Sequence, residues 1–568
     1  MGITPHIRGT PVRQTRKNLA WSVLFLTAVL LSGCGGGSSG NSSTGGVGNP
    51  PPSPPPPPPP PPTQSALNVL TYHNDNARDG LNAQETVLTP ANVDPAHFGK
   101  IGFYPVDGLV DAQPLYLAGQ EIGGKKHNVL YVATEHDSMY AFDADSGSVL
   151  WHVSLVGAGE TTSDDRGCDQ VTPEIGITAT PVIDPTAGSH GTIFVAAMSK
   201  DNSGNYFQRL HALDVTSGAE LPHSPVTIAA KYPGTGDNSS GGYVVFDPSQ
   251  YKERPGLLLL NGVVYTFWSS HCDDEPYTGW IIGYAENSLA QTRVFDITPN
   301  GSEASIWASG AGPAADTDGN IYFLAANGSF ETTLNAKGFP DQGDYGNAFL
   351  KLSSAGGKLA VVDYFNMSAT VDESNNDEDL GSGGALLLPD LTDNNGVTRH
   401  LAIGAGKDQT IYVVDRDNMG KFNSSTDNIW QEIVNGLGGS EFGMPAYFNG
   451  TVYYGAVGDV LRAFTINDAM LSSLPSSTSA HNFGYPGATP SISANGTKDG
   501  IVWAAENSDP AGLYAYDAGN LGHELYDSNQ VGTRDQFGPG NKFITPTVIN
   551  GKVYVGTTDG VAVFGLLH

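Results

Sequence analysis

One phrase recurs along this chain and limits its fold more than any other feature. A residue followed by proline opens a strand, an aromatic-rich strand comes next, a third alternating strand often ends in Asp, and a turn closes the unit. The opening strand occurs as Gln113-Pro114-Leu115-Tyr116, Thr180-Pro181-Val182-Ile183, Met444-Pro445-Ala446-Tyr447, Thr489-Pro490-Ser491-Ile492 and Thr545-Pro546-Thr547-Val548. Proline suits a strand start, where no ladder donor is needed. The two strands that follow recur from Val129-Leu130-Tyr131-Val132 with Met139-Tyr140-Ala141-Phe142-Asp143 to Val553-Tyr554-Val555 with Val561-Ala562-Val563-Phe564. With Asp-Gly, Asn-Gly and Gly-rich turns between them and hardly any amphipathic helical window, these runs predict an all-β, repeat-built chain.

Eight such units can be counted between residue 66 and His568. Four-stranded antiparallel units of this size fit an eight-bladed β-propeller, because each sheet buries both faces against its neighbours and the ring removes most exposed edges. The last unit stops after three strands. Its outer strand is predicted to come from Ile101-Gly102-Phe103-Tyr104-Pro105-Val106, which closes the ring by pairing the N- and C-terminal strands. Seven blades is the alternative count.

The first residues have another character. Arg8, Arg13, Arg16 and Lys17 precede a short apolar run from Leu19 to Leu31, the pattern of an export signal over 1–34. The run ends in Leu31-Ser32-Gly33-Cys34, which resembles the bacterial lipobox and implies acylation of Cys34. Gly35 lacks the aspartate that retains such proteins at an inner membrane, so the resemblance implies an outer-membrane anchor in a Gram-negative host, on the periplasmic side or the cell surface. Residues 35–65 read as a tether, first Gly and Ser, then Pro50 to Pro62. In polyproline II geometry the proline tract spans about 40 Å.

The formal net charge is −31, and the cleaved segment carries only positive charge. Such a surface repels phosphate backbones and excludes nucleic acid as a partner. Beyond Cys34 only Cys168 and Cys272 remain, and an exported chain can hold them as one disulfide or as two free thiols.

Tyr140-Ala141-Phe142-Asp143-Ala144-Asp145-Ser146-Gly147 followed by Leu150-Trp151 resembles the pyrroloquinoline quinone (PQQ) repeat. The resemblance covers residues 66–568 and implies a quinoprotein alcohol dehydrogenase-like propeller, a fold shared by dehydrogenases and by non-enzymatic BamB-type lipoproteins. Within it, Ile321-Tyr322-Phe323-Leu324-Ala325-Ala326-Asn327-Gly328 is similar to the segment whose asparagine ligates calcium, which implies Asn327 as a metal ligand. Gly343-Asp344-Tyr345 looks like the Gly-Asp-Asn that carries the catalytic aspartate, implying Asp344 as the base. Gly406-Lys407-Asp408 resembles the strand start where a cation bonds a quinone oxygen, implying Lys407 in cofactor binding. All three lie between the second and third strands of their units, and those loops share one face of a propeller.

The departures are as specific. Cys168 stands alone where the family has two adjacent cysteines, and Pro173-Glu174 replaces an arginine. Asp201, Asn202, Ser203 and Asn205 stand in for a calcium-ligating glutamate, Gly310-Ala311-Gly312-Pro313 lacks a tryptophan, and no Cys-x-x-Cys-His haem motif exists. On this reading Lys407 is the only cation among many carboxylates. The sequence therefore leads to a monomeric binding propeller with a degenerate quinone site, whose loop face takes a protein, glycan or small ligand. A PQQ- and calcium-dependent alcohol or sugar dehydrogenase is the alternative, and a BamB-like outer-membrane assembly scaffold the second. His271-Cys272-Asp273-Asp274-Glu275 with Tyr277 reads as a solvated loop stapled to Cys168, or else as a metal or ligand site. Asp316-Thr317-Asp318-Gly319-Asn320 reads as a hairpin turn.

Overall fold

Sheets of four or more antiparallel strands follow one another along the chain in the computed structural model, which describes residues 68–568. The export signal, Cys34 and the proline tether lie outside the described residues. There are eight such sheets among them. The first is Leu115–Ile122, Lys125–Ala133, Ser138–Asp143 and Val149–Ser154, paired in that order. Its middle strands are buried on both faces, so Val129 to Ala133 forms a continuous apolar run. The outermost strand, Val149–Ser154, has both exposed and buried positions. This is the pattern of a sheet packed between two others, covered on both sides although it is antiparallel.

The sheet that ends the chain contains Thr547–Ile549, Lys552–Gly556 and Gly560–Leu566. Its fourth strand is Phe98–Pro105, antiparallel to the last, with Phe98 opposite Leu566 and Pro105 opposite Gly560. The closing strand expected over residues 101–106 is therefore present and begins a few residues earlier. With Phe98–Pro105 paired to the last strand in one sheet, the β-propeller has no open seam there.

A segment with no sequence-level forecast occupies the middle of the ring. From Val69 to Asn82 the chain bonds in turn to the innermost strand of every sheet. Val69 and Tyr116 exchange backbone hydrogen bonds of 2.8 and 2.9 Å, and Ile183 N–H donates to Leu70 O at 2.8 Å. Asn76 Nδ2 donates to Leu259 O at 3.1 Å. Ala315 donates to Asn76 O, Leu387 to Ala77 O, Tyr447 to Asp79 O and Ile492 to Gly80 O. Asn82 Nδ2 completes the circuit on Val548 O at 3.0 Å. Turning so tightly requires left-handed backbone at His73, Asn74, Arg78 and Gly80. At Gly80 a Cβ would stand 2.4 Å from the His73 ring, so only glycine fits.

Arg78, fully buried, is the hub of this thread. Its guanidinium donates to Thr71 Oγ1 and Tyr72 O at 2.7 Å, to Pro313 O at 3.0 Å and to Leu257 O at 3.3 Å. Charge-assisted bonds of this kind contribute about 1.5–3 kcal/mol each, enough to keep a buried guanidinium charged. Each innermost strand runs from the face where it begins to the face of its hairpin turn, and the thread lies across the channel between them.

Candidate functional site

The face where the innermost strands begin also carries the loops joining second to third strands. Here a cavity of about 70 Å³, partly open to solvent, is lined by Asn327 and Lys407, two of the three residues expected from sequence. Asp344, the third, is not in its lining. It is 2% exposed, accepts a 2.8 Å hydrogen bond from Asn300 N–H at Oδ1, and is pushed up to about 8, first by burial and then by neighbouring Glu331.

One wall holds a network that satisfies most of its own groups. Lys407 Nζ lies 2.5 Å from Asp377 Oδ1 and 2.7 Å from Asp379 Oδ1. Burial pulls the Lys407 ammonium down, but the two aspartates outweigh it and hold it above the ordinary lysine value. Asn327 Nδ2 donates to Asp377 Oδ1 at 2.9 Å. Its own Oδ1 is buried with no partner among the described residues.

Arg254 adds a second cation to the lining, with Lys252 and Lys542 near it, which the sequence reading missed. Arg254 is 4% exposed, its guanidinium sits 4.2 Å above the Phe543 ring, and its Nη1 has no partner among the described residues. Lys252, two residues earlier on an extended segment and so on the same side, places Nζ 3.4 Å from Gln170 Oε1. Burial, then repulsion from Arg254, pushes Lys252 down to about 7. Burial and Arg254 also lower Lys542. Asp111, which accepts from Asn541 Nδ2 at 2.6 Å, lies near these cations, and Glu135 is pushed well above the usual carboxylate range by burial and then by Asp111. The single-cation reading is thus corrected: Lys252, Glu253 and Arg254 are all buried.

Aromatic rings complete the cavity. Phe442 meets Tyr485 edge-on at 5.8 Å, and Tyr485 meets Phe543 at 6.2 Å. Trp307 also lines the space, so the tryptophan missing from residues 310–313 has a counterpart three residues before them. Cys168 and Cys272 are bonded, with Cα atoms 5.8 Å apart. That staple joins two loops of the rim, since Gln170 and Asp273 both line the cavity. Tyr277 OH donates to Asp273 Oδ1 at 2.8 Å. His271 is buried, and burial first of all pushes it down to about 3. Asp316 Oδ1 accepts from the N–H groups of Asp318 and Asn320, which is a hairpin turn.

Among the described residues no group of three or more His, Cys, Asp and Glu is placed to hold a metal ion. Beside Asn327 the two carboxylates that could ligate calcium are already held by the Lys407 ammonium, so this donor set does not fit a divalent cation. A planar anion fits better, since Arg254 offers an unpaired donor beside a set of rings.

The fold is that of the quinoprotein alcohol dehydrogenases. Quinohemoprotein alcohol dehydrogenase from Comamonas testosteroni superposes with a TM-score of 0.57 at 14% identity, over 88% of this chain and 80% of that one. Quinohemoprotein alcohol dehydrogenase ADHIIG from Pseudomonas putida HK5 gives 0.56 at 14% identity, again over 88% and 80%. A europium-containing methanol dehydrogenase gives 0.54 at 12% identity, over 88% of this chain and 98% of that one. No family model and no curated protein matches the sequence.

Proposed function

We propose that this chain is an exported, Cys34-anchored binding propeller of the outer membrane, whose cavity takes a small planar ligand bearing an acidic group. The observation that carries this reading is Arg254: a buried guanidinium with an unpaired Nη1, at a cavity wall, stacked on Phe543. An unpaired buried donor of this kind costs about 1–3 kcal/mol, more when charged, until a partner arrives. An arriving carboxylate removes that cost, and the rings of Trp307, Phe442 and Tyr485 supply apolar contact for the rest of the ligand.

PQQ, an aromatic tricarboxylate, is one member of this ligand class. Titration with PQQ and with plain aromatic carboxylates, followed by tryptophan fluorescence, tests the reading. Saturable quenching that Arg254→Gln removes supports it; the absence of binding by every member of the set at millimolar concentration defeats it. A PQQ- and calcium-dependent dehydrogenase has less support, because Asp344 lies outside the lining and Lys407 holds the carboxylates beside Asn327. The enzymatic reading expects dye reduction with alcohols that Asp344→Asn abolishes.

A further inference from the structure

Two carboxylates and an amide oxygen gathered beside a cavity, of which Asp379 and Asn327 line it, make the kind of donor set that a hard divalent cation takes. In this chain the centre of that set is a side chain. Lys407 Nζ contacts Asp377 Oδ1 at 2.5 Å and Asp379 Oδ1 at 2.7 Å. Asn327 bonds the same Asp377 oxygen through Nδ2 at 2.9 Å, which brings its amide to the edge of the group. Asp379 is buried, so its charge needs a counter-ion inside the protein. The Asn327 Oδ1 atom is an independent sign of an interrupted site: it is buried, lies at the cavity, and has no partner among the described residues.

We infer that the Lys407 ammonium takes the place of a divalent cation in this cavity, and that removing it uncovers a cation site made by Asp377, Asp379 and Asn327. An ammonium is a compact point charge with three donors and suits the two carboxylates. It carries one positive charge against two negative ones, and it leaves Asn327 Oδ1 without a partner among the described residues. A divalent ion balances both carboxylates and also accepts the amide oxygen as a ligand. The consequence for binding is that the wild-type cavity needs no metal, a point that rests on the proposed ligand reading; the cation exchange itself does not.

The experiment measures Ca²⁺ binding by calorimetry on the full chain, wild type against Lys407→Ala and Lys407→Met, with Lys407→Ala/Asp379→Asn as the control for other acidic sites. Circular dichroism confirms that each is folded; the methionine variant keeps the packing of the stem if the alanine variant does not fold. One additional saturable equivalent of Ca²⁺ in the single variants, absent from wild type and from the double variant, is the expected result. A wild-type site that Asp379→Asn removes, or folded single variants that gain no site, overturns the inference. In parallel, PQQ affinity of the wild type is expected to be the same with and without EDTA. If no aromatic acid binds at all, the ligand reading falls while the Ca²⁺ titration still decides the exchange.

Discussion

Breaking the Cys168–Cys272 bond has an effect whose size follows from where it sits. It closes a loop over a sequence separation of 104, and cross-linking a loop of about 100 residues removes unfolded-state entropy worth up to about 4.7 kcal/mol at 25 °C. Unfolding entropy is about 2.1 cal/mol/K per residue, or about 1 kcal/mol/K over roughly 500 residues. If the ring melts as one unit, reduction lowers Tm by about 4–5 °C. The check is a thermal scan by circular dichroism, with and without a thiol reductant, and on Cys168→Ser/Cys272→Ser. The double variant must match the reduced wild type and must not respond to reductant. Because Gln170 and Asp273 flank the staple at the rim, ligand affinity should fall as well. A reduced protein that melts within 1 °C of the oxidised one refutes the argument, since the bond would then restrain nothing that the folded ring does not already hold.

Other outcomes follow from the cavity and the thread. Arg254→Gln should weaken binding of an aromatic carboxylate by about 10- to 150-fold, the equivalent of about 1.5–3 kcal/mol for a hydrogen bond to a charged group, read by fluorescence titration. Affinity for an anion should fall as pH rises through about 7, where Lys252 loses its proton; below that value it is charged and attracts, above it is neutral and does not. Lys252→Met should flatten the profile while Arg254, Lys542, Asp111 and Glu135 remain, and a profile that keeps its shape in this variant assigns the pH dependence elsewhere. Gly80→Ala forces a Cβ into the His73 ring from a left-handed backbone position and should destabilise the fold by more than about 1 kcal/mol, seen as a lower denaturant midpoint.

The sheets were legible because burial on both faces forces long apolar runs, and the prolines mark where innermost strands begin. The closing strand was legible because the last unit lacked a partner that residues 101–106 could supply. The thread over Val69–Asn82 was not, since its order comes from backbone bonds to six distant strands and asparagine side-chain bonds to two more, and leaves no periodicity. Asn327 and Lys407, singled out by the family resemblance of their segments, both line the cavity. Arg254 and Trp307 were missed for a different reason: they precede innermost strands, and a charged or aromatic residue in such a connection has no local mark that it turns inward. Cys168 and Cys272 left two outcomes open, which only their proximity in space resolves.

The thread also fixes the side of the ring on which its first residue lies. Asn68 accepts from the backbone of Ala118, well along the innermost strand Leu115–Ile122 towards its hairpin, whereas the cavity opens where such strands begin. Asn68 itself therefore lies on the side of the ring away from the cavity. A chemical label carried at Asn68 should leave solute uptake equal to that of the unlabelled protein.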